Sequence, residues 1–298
     1  MRIVTKFLTV LIPLFLLNIT VYSQDAICQN QKSFLWKVKS EENTVYILGS
    51  LHMMKQEDYP LNKNIEDAFS KSEVLAVEAN INDITQLDIK TLLERAFYPD
   101  GETLEDHVSQ ETYETIKKET ERLGLPLMLV NRQKPWFLAL SLTSMELLKL
   151  GFNPNYGIDM HFLSQVSGKK EIIELESLDY QFNLLSNLSD DEQESFLRYT
   201  LRDLHILKQE SQALTNAWKS GDTKTVESII EKSISGDREM LTVYEELIDE
   251  RNRNMVLKIE EFLKDDKTHF VIVGAGHLVG KKGIINLLKE KGFTVEQL

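Results

Sequence analysis

The chain has 298 residues, 34 basic and 47 acidic side chains, a formal net charge of -13 and one cysteine. An apolar fraction of 42% with 27% charged residues excludes a disordered chain, and one cysteine excludes an internal disulfide framework. The acidic balance argues against nucleic acid, which needs clustered Lys and Arg, and against passive docking to an anionic membrane.

Residues 1–23 begin with Arg2 and Lys6, continue in an apolar run from Phe7 to Leu17, and end in Val21 and Ser23 before Gln24. That order predicts a cleaved secretory signal peptide. A membrane anchor needs about 20 apolar residues, and this run is shorter and carries Pro13. Cys28 follows Asp25-Ala26-Ile27, a poor lipidation box, so a lipoprotein is not expected. The mature chain, 24–298, is expected to be one domain, secreted or periplasmic, with no stable membrane insertion after cleavage. Its oligomeric state is not legible.

Strands are predicted at Phe34–Val38 and Thr44–Leu48, then a helix over 62–71 and a buried strand at Val74–Val77. Helices follow over 85–97 and 109–123, the second ended by Gly124 and Pro126. Pro135 opens an apolar helix to Leu150, read as core. A short helix over 157–167 precedes a strand at Glu171–Leu175. From about Asp179 to Leu263 the texture is helical and charged. The end returns to a strand at His269–Val273, a Gly274–Gly280 loop, a helix to Lys291 and a strand at Phe293–Val295. The expected class is therefore α/β (α+β). One mixed sheet is built from the N- and C-terminal segments, and a large helical middle region, an insert over about 179–263, packs over it.

Tyr46-Ile47-Leu48-Gly49-Ser50-Leu51-His52 and Val271-Ile272-Val273-Gly274-Ala275-Gly276-His277 echo each other: each is an apolar strand running into Gly-x-x-His. On parallel strands, both histidines would stand on the rim where open α/β sheets bind ligands. Val74–Val77 ends in Glu78, and a carboxylate closing a buried strand is costly unless paired or metal-bound. His52, Glu78 and His277 can therefore ligate a divalent metal (Mn, Co or Zn) and leave a position for water. Without metal they can act as general base and orienting groups. The ordinary reading of each alone is a turn histidine, or a carboxylate at a helix start. Gly274-x-Gly276-x-x-x-Gly280 with Glu296 20 residues beyond Gly276 also approximates a dinucleotide fingerprint, but its spacing departs by one residue and the strands that should follow are missing. No Gly-x-Ser-x-Gly, His-Glu-x-x-His or Walker A motif occurs.

With these residues in view, the sequence resembles the TraB/PrgY/GumN family, which includes the Tiki proteases. The resemblance runs from Leu35-Trp36-Lys37-Val38 and Leu48–His52 through Val77-Glu78, Gly157-Ile158-Asp159-Met160-His161-Phe162 and Glu174-Leu175-Glu176. It continues to Glu250–Met255 and Val273–Gly280. It implies an exported or membrane-associated hydrolase with metal-dependent proteases among its relatives, acting on a peptide or small-molecule substrate. A non-catalytic haem-, metal- or peptide-signal-binding protein is the alternative. It carries His52, Glu78 and His277 as the core site, with Asp159, His161, Glu176 and Arg251 around it. Read from the residues alone, Asp159 is also a plausible helix cap. At most one of Asp159 and His161 should face the site unless the helix starts there, because they lie two apart; His161 is equally a core histidine or a ligand. Arg251 lies in a charged helix, where an exposed face is the ordinary reading; pointing inward, it would anchor a substrate carboxylate or hold Glu78 through a fork of hydrogen bonds.

Overall fold

Alternating and continuous apolar runs set the frame. The computed structural model describes residues 32–81, 89–166, 168–234 and 238–298; the predicted signal segment, Cys28 and the start of the 85–97 helix lie outside them. The strands are β1 (Leu35–Lys39), β2 (Thr44–Ser50), β3 (Val74–Val77), β4 (Glu171–Glu174), β5 (His269–Gly274) and β6 (Thr294–Gln297). They form one sheet of order β4-β3-β5-β2-β1-β6. Its central ladders, β4 with β3, β3 with β5 and β5 with β2, are parallel, whereas β1 pairs antiparallel with both β2 and β6. Strands β3 and β5 carry no alternation because parallel strands are covered on both faces; every residue of β3 is buried.

The first and last strands pair at one edge of this sheet. Ser33 donates its backbone N–H to the Leu298 carbonyl, and Leu298 donates to that of Leu35. The first strand pair and the last are thereby tied, and β2 and β5 run side by side with Gly49 opposite Val273 and Ser50 opposite Gly274. Because β2, β3, β4 and β5 share a direction, their carboxyl ends share one rim.

Helices α1 (Lys63–Lys71), α2 (Ile89–Ala96), α3 (Gln110–Leu123), α4 (Pro135–Lys149) and α5 (Ile158–Val166) fill the first half. Helix α3 is capped by the Ser109 side chain, which accepts from Thr112 N–H, and it ends on left-handed Gly124. Then come α6 (Leu178–Ser186), α7 (Asp190–Asp203), α8 (Leu207–Lys219), α9 (Thr223–Ile234) and α10 (Arg238–Tyr244), followed by a π-helical turn (Glu245–Asp249), α11 (Glu250–Phe262) and α12 (Ile284–Glu290). One apolar core surrounds the sheet, where Phe69 of α1 and Phe162 of α5 both meet Phe270 of β5. A second core, away from the sheet, joins α3, α4 and α7 through Ile116, Leu138, Leu142 and Leu197. No helix among the described residues is long and apolar enough to cross a membrane.

The glycine-spaced segment after β5 does not open a helix. Ala275–Leu278 is a single 3-10 turn, α12 begins only at Ile284, and Glu296 lies in edge strand β6. The dinucleotide reading therefore lacks the helix N-terminus that would hold a pyrophosphate.

Candidate active site

Four parallel strands deliver four polar residues to one rim: β2 leads to His52, β3 to Glu78, β4 to Glu176 and β5 to His277. Glu78 is the hub. Its Oε1 accepts the Gly274 backbone N–H and lies 3.7 Å from His277 Nε2. Its Oε2 accepts from Arg251 Nη2 at 2.6 Å and from Gln181 Nε2 at 3.1 Å. Arg251 enters from the first turn of α11. It also donates through Nε and Nη2 to Glu176 at 2.7–3.0 Å and through Nη1 to the Leu247 carbonyl at 2.8 Å. Of the two roles expected for Arg251, a hold on Glu78 is present, but through a single Nη2 bond; the two-nitrogen fork lies on Glu176 instead. That carbonyl belongs to the π-helical turn immediately before Arg251, and such turns recur at functional sites.

Local sequence explains how each group is held. Trp218 Nε1 donates to the Gly49 carbonyl and Ile158 N–H to that of Leu51, so the loop after β2 is pinned on both sides. A Cβ on Gly157 would stand 2.2 Å from the His52 carbonyl oxygen. Only glycine lets the start of α5 come this close, and that approach brings Asp159, in the first turn, under the His52 ring. Asp159 Oδ2 meets His52 Nδ1 at 2.8 Å. His161, two residues on, points elsewhere: its Nε2 meets Glu66 Oε1 at 3.0 Å and Gln165 Nε2 at 2.8 Å. His277 donates from Nδ1 to Asn252 Oδ1 at 2.7 Å, which fixes its tautomer and turns Nε2 toward Glu78.

A Cβ added at Gly274 would lie 3.3 Å from Glu78 Oε1, 3.5 Å from His277 Cδ2 and 3.8 Å from His52 Nε2. The missing side chain is therefore the space the three groups share. Ser50 Oγ, which lines the same space, is buried with no hydrogen-bond partner.

The electrostatics split the two histidines. Asp159's charge holds His52 up at about 9 against the opposing effect of burial. Its side chain is 69% exposed, because what it faces is a cavity rather than packed atoms. Burial pushes His277 down to about 4, outweighing the pull of Glu78; its side chain is 4% exposed. Burial works to raise Glu78, but His277, Arg251, His52 and the Gly274 N–H together bring it down to about 2. At neutral pH the corner thus holds an imidazolium, a neutral imidazole and a carboxylate.

The donor chemistry fits a divalent cation: two Nε2 atoms whose Nδ1 atoms are anchored, as metal-binding histidines require, and one carboxylate oxygen beside an unfilled Cβ position. Their spacing is wider than a metal site needs: among the described residues no three His, Cys, Asp or Glu side chains stand close enough to hold one ion.

The rim opens into a cavity of about 800 Å³ bounded by His52, Glu78, Arg251 and His277 at one end and by helices of the middle region elsewhere. Reading from sequence missed Gln181, Asn252 and this chamber. Asn252 follows Arg251, but nothing in its own spacing points to His277. Gln181 lies one helical turn into α6 with no motif around it.

A mixed sheet with a His-Glu-His cluster at the carboxyl ends of its parallel strands, roofed by helices, defines the class. The chain belongs to the TraB/PrgY/gumN family, whose model matches residues 34–297. It is 25% identical over 245 residues to the uncharacterized protein YbaP of Escherichia coli, covering 82% of this chain and 87% of YbaP. It is 23% identical over 316 residues to metalloprotease TIKI1 of Homo sapiens, covering 89% of this chain and 61% of TIKI1. A metalloprotease TIKI homolog of Amphimedon queenslandica is 23% identical over 348 residues, covering 98% of this chain and 67% of that one. No solved structure matches.

Proposed function

We propose that the chain is an exported hydrolase of carboxyl derivatives, amide bonds included, working at the rim where His52, Glu78 and His277 surround Gly274. One observation carries this reading: two histidines of opposite protonation flank an ionised carboxylate at the mouth of a chamber large enough for a substrate. Kinship with proteins named metalloproteases supports it. Export rests on the sequence of residues 1–23.

In this reading the scissile carbonyl lies over Gly274. Neutral His277, its Nδ1 proton committed to Asn252, presents Nε2 to accept a proton from water. Glu78 orients that water and stabilises the imidazolium that forms. His52, protonated through Asp159, has an Nε2 proton to give to the leaving group. Arg251, Glu176 and Gln181 hold Glu78 in place.

A base near 4 is weak at neutral pH. A divalent cation held by His52, Glu78 and His277 would supply the missing activation, since bound water can fall from 15.7 to about 7 in pKa. Ligation requires His52 to lose its proton, so cation affinity rises with pH up to about 9.

The test is turnover by the mature protein of peptide, acyl-amide and ester libraries, with and without chelator, and with added Mn²⁺, Co²⁺ or Zn²⁺. Turnover that is lost in His52→Ala and Glu78→Gln supports the hydrolase, and chelator sensitivity assigns the cation. Binding of haem, metal or peptide without any turnover supports the alternative, a binding protein, which the apolar chamber also suits.

A further inference from the structure

The chamber behind the rim differs from the rim in kind. Its walls are side chains such as Leu147 of α4, Phe182 and Leu184 of α6, Leu214 of α8, Ile230 of α9 and Leu247 of the π-helical turn. Away from the strand ends its polar lining is Glu210, Ser211 and Thr215. Two of these are already committed: Ser211 Oγ donates to the Lys208 carbonyl and Thr215 Oγ1 to that of Ser211. Burial pushes the Glu210 carboxyl up.

An occupant must therefore bring little that needs hydrogen bonding. A peptide laid in this space would bury one N–H and one C=O per residue, and each unpaired group costs about 1–3 kcal/mol. A hydrocarbon chain loses nothing and gains about 0.8 kcal/mol per buried methylene. We propose that the chamber takes the alkyl tail of a long-chain acyl compound, with its carbonyl delivered to Gly274 at the rim. The substrate class is then a fatty-acyl amide or ester. The head-group part rests on the hydrolase reading; the tail part rests on the chamber alone.

The experiment measures binding and turnover separately on the mature chain. Calorimetry with N-acylglycines of 4, 8, 12 and 16 carbons reads the tail. Affinity is expected to rise about fourfold per methylene, the equivalent of 0.8 kcal/mol, and then to level off when the chamber is full. Leu184→Trp and Leu214→Trp, which fill the chamber, should each bring the plateau to a shorter chain; the wild-type length series stands even where a variant misfolds. Affinity independent of chain length overturns the proposal. So does tighter binding of an apolar tetrapeptide amide than of an N-acylglycine with the same number of carbons. Hydrolysis of N-acylglycines and acyl esters then reads the head group. Length-dependent binding with no turnover keeps the tail assignment and removes the hydrolase reading, whereas turnover of short acetyl compounds as fast as long ones keeps the hydrolase and removes the tail.

Discussion

The two Gly-x-x-His corners are near-copies in sequence and opposites in chemistry. Gly49 and Gly274 illustrate this. A Cβ on Gly49 would strike the Phe34 ring at 2.4 Å, whereas one on Gly274 would enter the site itself. The first glycine serves packing and the second keeps open the space between Glu78, His277 and His52. The histidines diverge in the same way. His52 faces the cavity over a carboxylate and is held up at about 9; His277 is buried against an amide and driven down to about 4. The Asp159 carboxylate decides the charge of His52, whereas burial decides that of His277. A repeated motif can thus supply an acid and a base from one template.

The comparison can be broken most severely at the group between the corners. Glu78→Gln should lower turnover about a thousandfold, within the range for lost acid–base function, measured as kcat/KM on whichever acyl substrate is found. Arg251→Leu should cost about 3–5 kcal/mol in urea unfolding, because it leaves Glu78 and Glu176 buried without their cation, and Arg251→Lys should recover only part of that. The two glycines separate next. Gly49→Ala should lose about 1–3 kcal/mol of stability through overpacking against Phe34. Gly274→Ala should lose activity and much less stability.

Smaller effects come from the histidine partners and are best read from pH. In the metal-free protein His52 is raised above its ordinary 6.5. Its stabilisation is therefore complete below 6.5 and lost as pH climbs through about 9. His277 is depressed, so its contribution is present above 6.5 and lost as pH falls to about 4. Glu78 adds a further acid loss from 4.5 down to about 2. Asp159→Asn should flatten the alkaline limb of a stability–pH curve and leave the acid limb unchanged. Asn252→Asp should raise His277 by bringing an acid to its Nδ1, and so make the corners alike. The smallest change belongs to an exposed pair such as Lys63 with Asp67, where Lys63→Ala should leave the urea midpoint unchanged, because solvent screens the pair.

The strands and the rim were legible because their signals are local. An apolar run has period and length, and a residue directly after it inherits a known position; His52, Glu78 and His277 needed nothing more. Arg251 and Asp159 were found through resemblance, since a charged helix and a helix start each have an ordinary reading. Gln181 and Asn252 carried no local signal: their partners lie 103 and 25 residues away, and only tertiary folding makes the contact. The chamber was invisible for a similar reason. Its walls come from several helices, and each apolar stripe, α4 above all, reads as core when seen alone. The π-helical turn lay inside what reads as uninterrupted helix.

The central claim is that His52 and His277 are opposed members of one site. Side-chain NMR titration of both imidazoles in chelator-treated wild-type protein, assigned with His52→Gln and His277→Gln, tests it directly. The account predicts one ring changing protonation near pH 9 and the other near pH 4. Two rings titrating together near the ordinary 6.5 would contradict it.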